Sequence, residues 1–413
     1  MPGSRADRSS RKMLSLTDIT AAQLRIAGKV RRTPLVESPA LSALTSVKLR
    51  LKLENLQFTG SFKERGACNR LEVMTESERA QGVVTASAGN HAQAVARHGA
   101  RLGVSVTVVM PEATPLVKVT ATRRFGAEVI LSGTSYDEAA EHAARLARER
   151  NLLYVHPFDD PWVMAGQGTI GLELLEDAPD LDAIILPVGG GGLIAGVACA
   201  VKETNPRVRV LGVEARRFPS MKHALESSPP PSLPGGKTIA DGIAVRRVGA
   251  QAREIVRKYV DEIALVDEAE IAQAVLLLLE REKAVVEGAG AVGIAALLHQ
   301  RFALNGQHVA VVLSGGNIDV NLIARIIERG LVKTGRLTRI LVTVPDVSGA
   351  LAELTRVVAG TRANILELNH DRAFSGAELG ETLIELVLET HGFEHIDEVC
   401  ARLGAAGYRF ERK

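Results

Sequence analysis

The chain has 413 residues, 46% of them hydrophobic and 24% charged, with 50 Lys and Arg against 48 Asp and Glu and a net charge of +2. That composition excludes a disordered chain, a collagen-like repeat and a small disulfide scaffold, and the near-neutral balance excludes a dedicated polyanion-binding surface. No apolar run reaches the roughly 18–20 residues of a membrane helix, residues 1–14 lack the apolar stretch of a signal peptide, and Cys68, Cys199 and Cys400 show no metal or dithiol spacing. A cytoplasmic protein of about two or three domains is expected, with reduced thiols and with no metal, nucleic-acid or membrane partner.

Residues 1–14 carry Arg5, Arg8, Arg11 and Lys12 among serines and read as a flexible, solvated arm. Beyond them, β-branched runs at 82–86, 104–110, 128–131, 183–188, 208–214, 263–266 and 309–313 alternate with Ala-rich helical stretches. This is the rhythm of parallel α/β sheets, and several runs lack polar alternation, as strands covered on both faces should. Residues 227–236 (SSPPPSLPGG) read as a surface loop, because neither a helix nor a central strand tolerates that density of proline. A boundary is expected after residue 330. There the order becomes strand (339–344), helix (349–359), two strands, helix (396–403) and strand (407–410), a ferredoxin-like βαββαβ module over 331–413.

Four turns carry the residue types of a small-molecule site, each after a predicted strand or at a helix start, where ligands of open α/β sheets bind. Gly189-Gly190-Gly191-Gly192-Leu193 follows the 183–188 strand, and residues without Cβ let a helix N-terminus approach a phosphate closely. Gly190-x-Gly192-x-x-Ala195 also fits a permissive dinucleotide fingerprint, with Glu214 at a ribose-binding distance, so this segment alone leaves a nicotinamide enzyme open. Lys63 follows Ser61 and Phe62 where a helix begins, a setting that lowers an amine pKa toward Schiff-base chemistry. Ser87-Ala88-Gly89-Asn90-His91 offers N–H groups and short polar side chains to a carboxylate, and Asn90 can donate to a phenolic oxygen. Ser314-Gly315-Gly316-Asn317 follows the 309–313 strand, where an ordinary turn is an equal reading.

Together SFKERG (61–66), SAGNHAQ (87–93), GQGTIGLE (166–173), GGGGLIAG (189–196), ADG (240–242), EGAGA (287–291) and SGGN (314–317) resemble the threonine/serine dehydratase family. These are pyridoxal 5'-phosphate (PLP) enzymes of the tryptophan synthase β-subunit type. The resemblance covers residues 15–330 and implies two open parallel α/β sheets, about 60–160 forming the smaller subdomain. It implies that Lys63 carries PLP as a Schiff base, Phe62 packs near the ring and Asn90 bonds the phenolic oxygen. Gly189, Gly190, Gly191, Gly192 and Leu193 would hold the phosphate, and Ser314 would face the pyridine nitrogen.

The implied activity is conversion of an amino-acid substrate, L-threonine, to 2-oxobutanoate and ammonia, with L-serine as a side substrate. Ser87, Ala88, Gly89, Asn90 and His91 would take the substrate carboxylate. Racemase relatives carry a serine where this chain has Ala88, and where their divalent-cation site has a second acidic residue this chain has Ser220, so racemisation and that metal are not expected. The tail resembles an ACT domain in its turn at 344–351 and in Asn364-Ile365, which implies an amino-acid effector and a homodimer or homotetramer. A serine dehydratase, another PLP β-elimination enzyme and a non-catalytic amino-acid sensor remain open, as does a biosynthetic or catabolic role.

Overall fold

Valine- and isoleucine-rich runs with no polar alternation become buried parallel strands, and the Ala-rich segments between them become the covering helices. The computed structural model describes residues 13–226, 236–372 and 378–413, so nearly all of the N-terminal arm and of the Pro-rich loop lie outside the described residues. The chain divides into two compact units, 1–318 and 319–413.

In the first unit the strands are β1 (Leu35–Glu37), β2 (Lys48–Lys52), β3 (Val83–Ala86), β4 (Val106–Met110), β5 (Glu128–Leu131), β6 (Leu153–Tyr154), β7 (Ala183–Pro187), β8 (Arg209–Ala215), β9 (Glu262–Val266) and β10 (His308–Val312). They form a six-stranded sheet of order β1-β2-β10-β7-β8-β9 and a four-stranded sheet of order β5-β4-β3-β6. The small sheet is parallel throughout. The large sheet is not wholly parallel as expected, since β1 runs antiparallel to β2 along one edge. The helix Pro39–Thr45 joins the two strands and returns the chain alongside β1 in the opposite direction.

The helix Pro161–Asp177 lies against both the helix Lys63–Glu72 and the helix Gly192–Thr204, and glycines permit that approach. A Cβ on Gly166 would stand 2.5 Å from the carbonyl oxygen of Arg65, and one on Gly196 would stand 2.2 Å from that of Met164. The GQGTIGLE motif is therefore a packing seam that fixes the lysine-bearing helix against the glycine-loop helix. Beneath it, Arg65 is fully buried and bonds Glu54 at 2.7 and 2.9 Å and Glu173 at 2.6 and 2.8 Å, while Lys52 reaches Glu173 at 2.6 Å. Cys68 and Cys199 are buried and desolvation pushes both thiols up to about 12, as fits inert core residues.

The second unit contains β11 (Leu337–Pro345), β12 (Asn364–Asp371), β13 (Glu381–Glu389) and β14 (Arg409–Arg412), an antiparallel sheet of order β12-β13-β11-β14. With the helices Ala350–Ala359 and Phe393–Ala405 this is the expected βαββαβ order. Alternating buried residues of β11 and β13, such as Val342 and Leu386, form its core with Leu354 and Leu403. The two units divide at 318/319, before the helix Val320–Lys333, whereas the expected boundary after residue 330 falls inside that helix. An amphipathic pattern marks where a helix is but not which body it packs on.

Candidate active site

Three of the predicted turns stand at carboxyl ends of strands: the glycine loop after β7, Ser87 after β3 and Ser314 after β10. Lys63 is brought to them because Ser61 forms a bridge with Gly315, and Phe62 N–H donates to the Ser314 carbonyl at 3.0 Å. As a result Phe62, Lys63, Ser87, Ala88, Gly89, Asn90, His91, Gly189, Gly190, Gly191, Gly192, Leu193 and Ser314 all line one cavity of about 300 Å³.

Lys63 opens its helix, so its side chain leaves the helix start and enters the cavity. Its Nζ donates to the Pro157 carbonyl at 2.6 Å and lies 5.2 Å from the centre of the Phe62 ring. Burial lowers the amine to about 8, against an opposing pull from the Glu287 carboxylate. Near neutral pH it therefore offers far more of the neutral, nucleophilic form than an exposed lysine does.

The glycine loop is held tightly from outside the cavity. Gly191 has φ +97°, in the left-handed region, and leads straight into the helix from Gly192, whose first N–H groups have no intrahelical acceptor. Asp159 fixes the neighbouring helix Ala250–Tyr259 by accepting from the N–H groups of Ala250, Gln251 and Ala252 at 3.0–3.2 Å. Gly249 at that helix start donates to the Gly190 carbonyl at 3.0 Å.

On the opposite wall, Ser87 Oγ accepts from Gly89 N–H at 3.2 Å and shapes the turn that leads into the helix Asn90–Leu102. His91 is buried, its Nδ1 has no hydrogen-bond partner, and desolvation holds its imidazole well below the ordinary range, so it is neutral. Asn90 Nδ2 donates to Glu287 at 2.8 and 3.1 Å, and Asn317 Nδ2 donates to Asn90 Oδ1 at 2.6 Å. Burial, reinforced by Asp241, raises the Glu287 carboxyl to about 7.

Several lining residues were given no role by the sequence reading: Lys118, Tyr136, Phe158, Asp241, Glu287 and Asn317. Asp241, Glu287 and Asn317 lay inside quoted motifs, which was the available signal. Lys118 and Tyr136 carried none, because each arrives from a helix of the small sheet whose placement only tertiary structure gives. Lys118 Nζ bonds Asp241 at 2.6 Å, joining that sheet's side of the cavity to the 240–242 turn.

Glu214 is not available to a ribose. It is fully buried and accepts from the N–H groups of Met221 and Lys222 at 2.7 and 3.0 Å, and desolvation raises its carboxyl to about 8. The dinucleotide reading thus loses its acidic partner. A half-buried amine of lowered pKa, a loop that packs too closely to admit a Cβ and a neutral serine and asparagine suit PLP instead, whose aldehyde, phosphate, ring nitrogen and phenolic oxygen call for those groups.

A family model described as pyridoxal-phosphate dependent enzyme matches residues 26–315. The L-threonine ammonia-lyase of Thermotoga maritima is 50% identical over 396 residues, covering 96% of this chain and 98% of that relative. Among solved structures, the processed threonine deaminase isoform 2 of Solanum lycopersicum matches with a TM-score of 0.72 and 35% identity over 79% of this chain and 93% of the other. Maize serine racemase matches with a TM-score of 0.73 and 34% identity over 78% and 99%.

Proposed function

This chain belongs to the pyridoxal-phosphate dependent enzyme family, and on that premise we propose that it converts L-threonine to 2-oxobutanoate and ammonia. The observation that carries this reading is the half-buried Lys63 amine, lowered to about 8 and sharing one cavity with the glycine loop, the Ser87–His91 turn and Ser314. When bound, PLP draws electrons from the substrate Cα, which lets its proton and then the β-hydroxyl leave.

Lys63 would anchor the cofactor through Nζ, and once the substrate amine takes its place the freed Nζ would take the Cα proton. The N–H groups of Gly189, Gly190, Gly191, Gly192 and Leu193 hold the phosphate, Phe62 packs near the ring, and Asn90 donates to the phenolic oxygen. Ser314, a neutral hydroxyl, faces the ring nitrogen and leaves the ring a weaker electron sink than a carboxylate would. That favours loss of a β-substituent over transamination. Ser87, Ala88, Gly89, Asn90 and His91 receive the substrate carboxylate. Ala88 has no group that can return a proton to the second face of Cα, so elimination wins over racemisation.

L-Serine differs from L-threonine by one methyl group, a difference of about 1–3 kcal/mol in a pocket. It is a side substrate here. The second unit is ACT-like, and its concavity of about 590 Å³ around Val344 to Leu351, with Arg372 paired to Asp346 at 3.0 Å, suits an amino-acid effector. The active assembly is a homodimer or homotetramer, and the place of action is the cytoplasm.

The test is kcat/KM for L-threonine against L-serine with PLP-saturated protein, identifying the 2-oxo acid formed. A higher value for threonine with 2-oxobutanoate as product supports the reading. A preference for serine moves the assignment to a serine ammonia-lyase, and no turnover of either removes it.

A further inference from the structure

The Ala240-Asp241-Gly242 turn, Glu287 of EGAGA and Asn317 of SGGN have no assigned contact with the cofactor. They converge on one side chain. The Glu287 carboxylate is buried at the start of the helix Gly288–Leu298, and glycines from the two other motifs flank it. A Cβ on Gly315 would stand 2.5 Å from Oε1, and a Cβ on Gly242 would stand 3.3 Å from it.

The hydrogen bonds that leave this slot run in a single direction. The Thr59 carbonyl can only accept, so the atom of Asn317 that meets it at 2.7 Å is the amide nitrogen. That same nitrogen donates to Asn90 Oδ1 at 2.6 Å, which makes the other end of the Asn90 amide its nitrogen. This nitrogen in turn meets both Glu287 oxygens, at 2.8 and 3.1 Å. Reversing the Asn90 amide would set oxygen against carboxylate at one end and NH2 against NH2 at the other. Both ends of the chain of bonds are thus anchored, by a backbone carbonyl beside the Lys63 loop and by a buried carboxylate.

We propose that Glu287 is a positioning residue that fixes the Asn90 amide with its nitrogen toward the cofactor's phenolic oxygen. One N–H of Asn90 goes to Glu287 and the second is left for the cavity. The inference rests on the reading that Asn90 meets PLP. A carboxyl serves better than an apolar residue of the same size because its ionised form accepts without donating, and its protonated form still keeps an acceptor oxygen for the Asn90 nitrogen, whose orientation the Asn317 donor also fixes.

The experiment uses full-length, PLP-loaded protein with Glu287→Ala, Glu287→Gln, Asn90→Ala and the double variant Asn90→Ala/Glu287→Ala. Folding is checked by thermal melting, and the readouts are PLP affinity by titration, the position of the visible absorbance band, and kcat and KM for L-threonine. Glu287→Ala is expected to weaken PLP binding and lower kcat by about tenfold each, the scale of one charge-assisted hydrogen bond, and to shift the visible band. Glu287→Gln, whose carbonyl oxygen still accepts from Asn90, is expected to recover most of the lost PLP affinity. In the Asn90→Ala background the Glu287→Ala change should add little, because its action passes through Asn90.

Full additivity with Asn90→Ala, or no effect of Glu287→Ala on affinity and band in a protein that melts like wild type, overturns the inference. A Glu287→Ala protein that fails to fold passes the decision to Glu287→Gln, whose failure to retain PLP affinity above that of Asn90→Ala also overturns it. Wild-type protein that takes no PLP or leaves threonine untouched defeats the functional reading itself, a result separate from either of these.

Discussion

Gly190 faces the ring of Phe158 so closely that a Cβ on the glycine would stand 2.3 Å from the ring carbons. The ring lines the cavity and packs on the loop proposed to hold the phosphate, so a Cβ at Gly190 could be admitted only if loop or ring shifted. Gly190→Ala should lower stability by about 1–3 kcal/mol, the usual scale of overpacking, and weaken PLP binding. Denaturant unfolding and PLP titration would show it. Adding Phe158→Ala should recover part of both losses, since it removes the clashing atoms. Equal losses in the single and double variants would mean that the contact is not the cause.

Arg65 bridges Glu54 and Glu173 with no exposure to solvent, two residues beyond Lys63 on the same helix. Arg65→Met would leave a buried carboxylate without a cation, since only Glu173 keeps Lys52. We predict a loss of about 3–5 kcal/mol, as expected when one partner of a buried ion pair is removed. Chemical denaturation checks it, and a loss under 1 kcal/mol would contradict the network's role.

The Lys63 amine sets a pH dependence for cofactor uptake. Only the neutral amine attacks an aldehyde, and burial lowers its pKa from 10.5 to about 8. In protein stripped of PLP, the rate of PLP capture should rise as pH rises through about 8 and level off above it. Stopped-flow absorbance measures this. A rate still climbing toward pH 10 would mean that the amine is not desolvated.

The C-terminal turn is testable through Gly349, which has φ +93° and immediately precedes the helix Ala350–Ala359. Valine is strained in that conformation. Gly349→Val should abolish any response of the threonine rate to added isoleucine or valine, measured by 2-oxobutanoate release. A response equal to that of the unsubstituted protein would mean that this turn does not carry the proposed effector site.

Much of this was legible from sequence wherever chemistry and periodicity coincide. The β-branched runs gave β3, β4, β5, β7, β8, β9 and β10 to within two residues at either end, and every residue assigned to the site lines the same cavity. What stayed hidden depends on partners distant in sequence. Lys48-Leu-Arg-Leu-Lys52 alternates charge with leucine and carried no strand expectation, yet β2 lies between β1 and β10, and Lys52 is buried because Glu173 meets it from 121 residues away. Glu287 stood in a quoted motif without a job, since its contacts to Asn90, Gly242 and Gly315 exist only once three distant turns meet.

The most direct test compares 2-oxobutanoate release from L-threonine by wild-type protein and by Lys63→Ala, both supplied with saturating PLP. Steady turnover by wild type and none above background by Lys63→Ala is the predicted result. Retention of elimination by Lys63→Ala at a rate near that of wild type would contradict the assignment of Lys63 as the reacting amine.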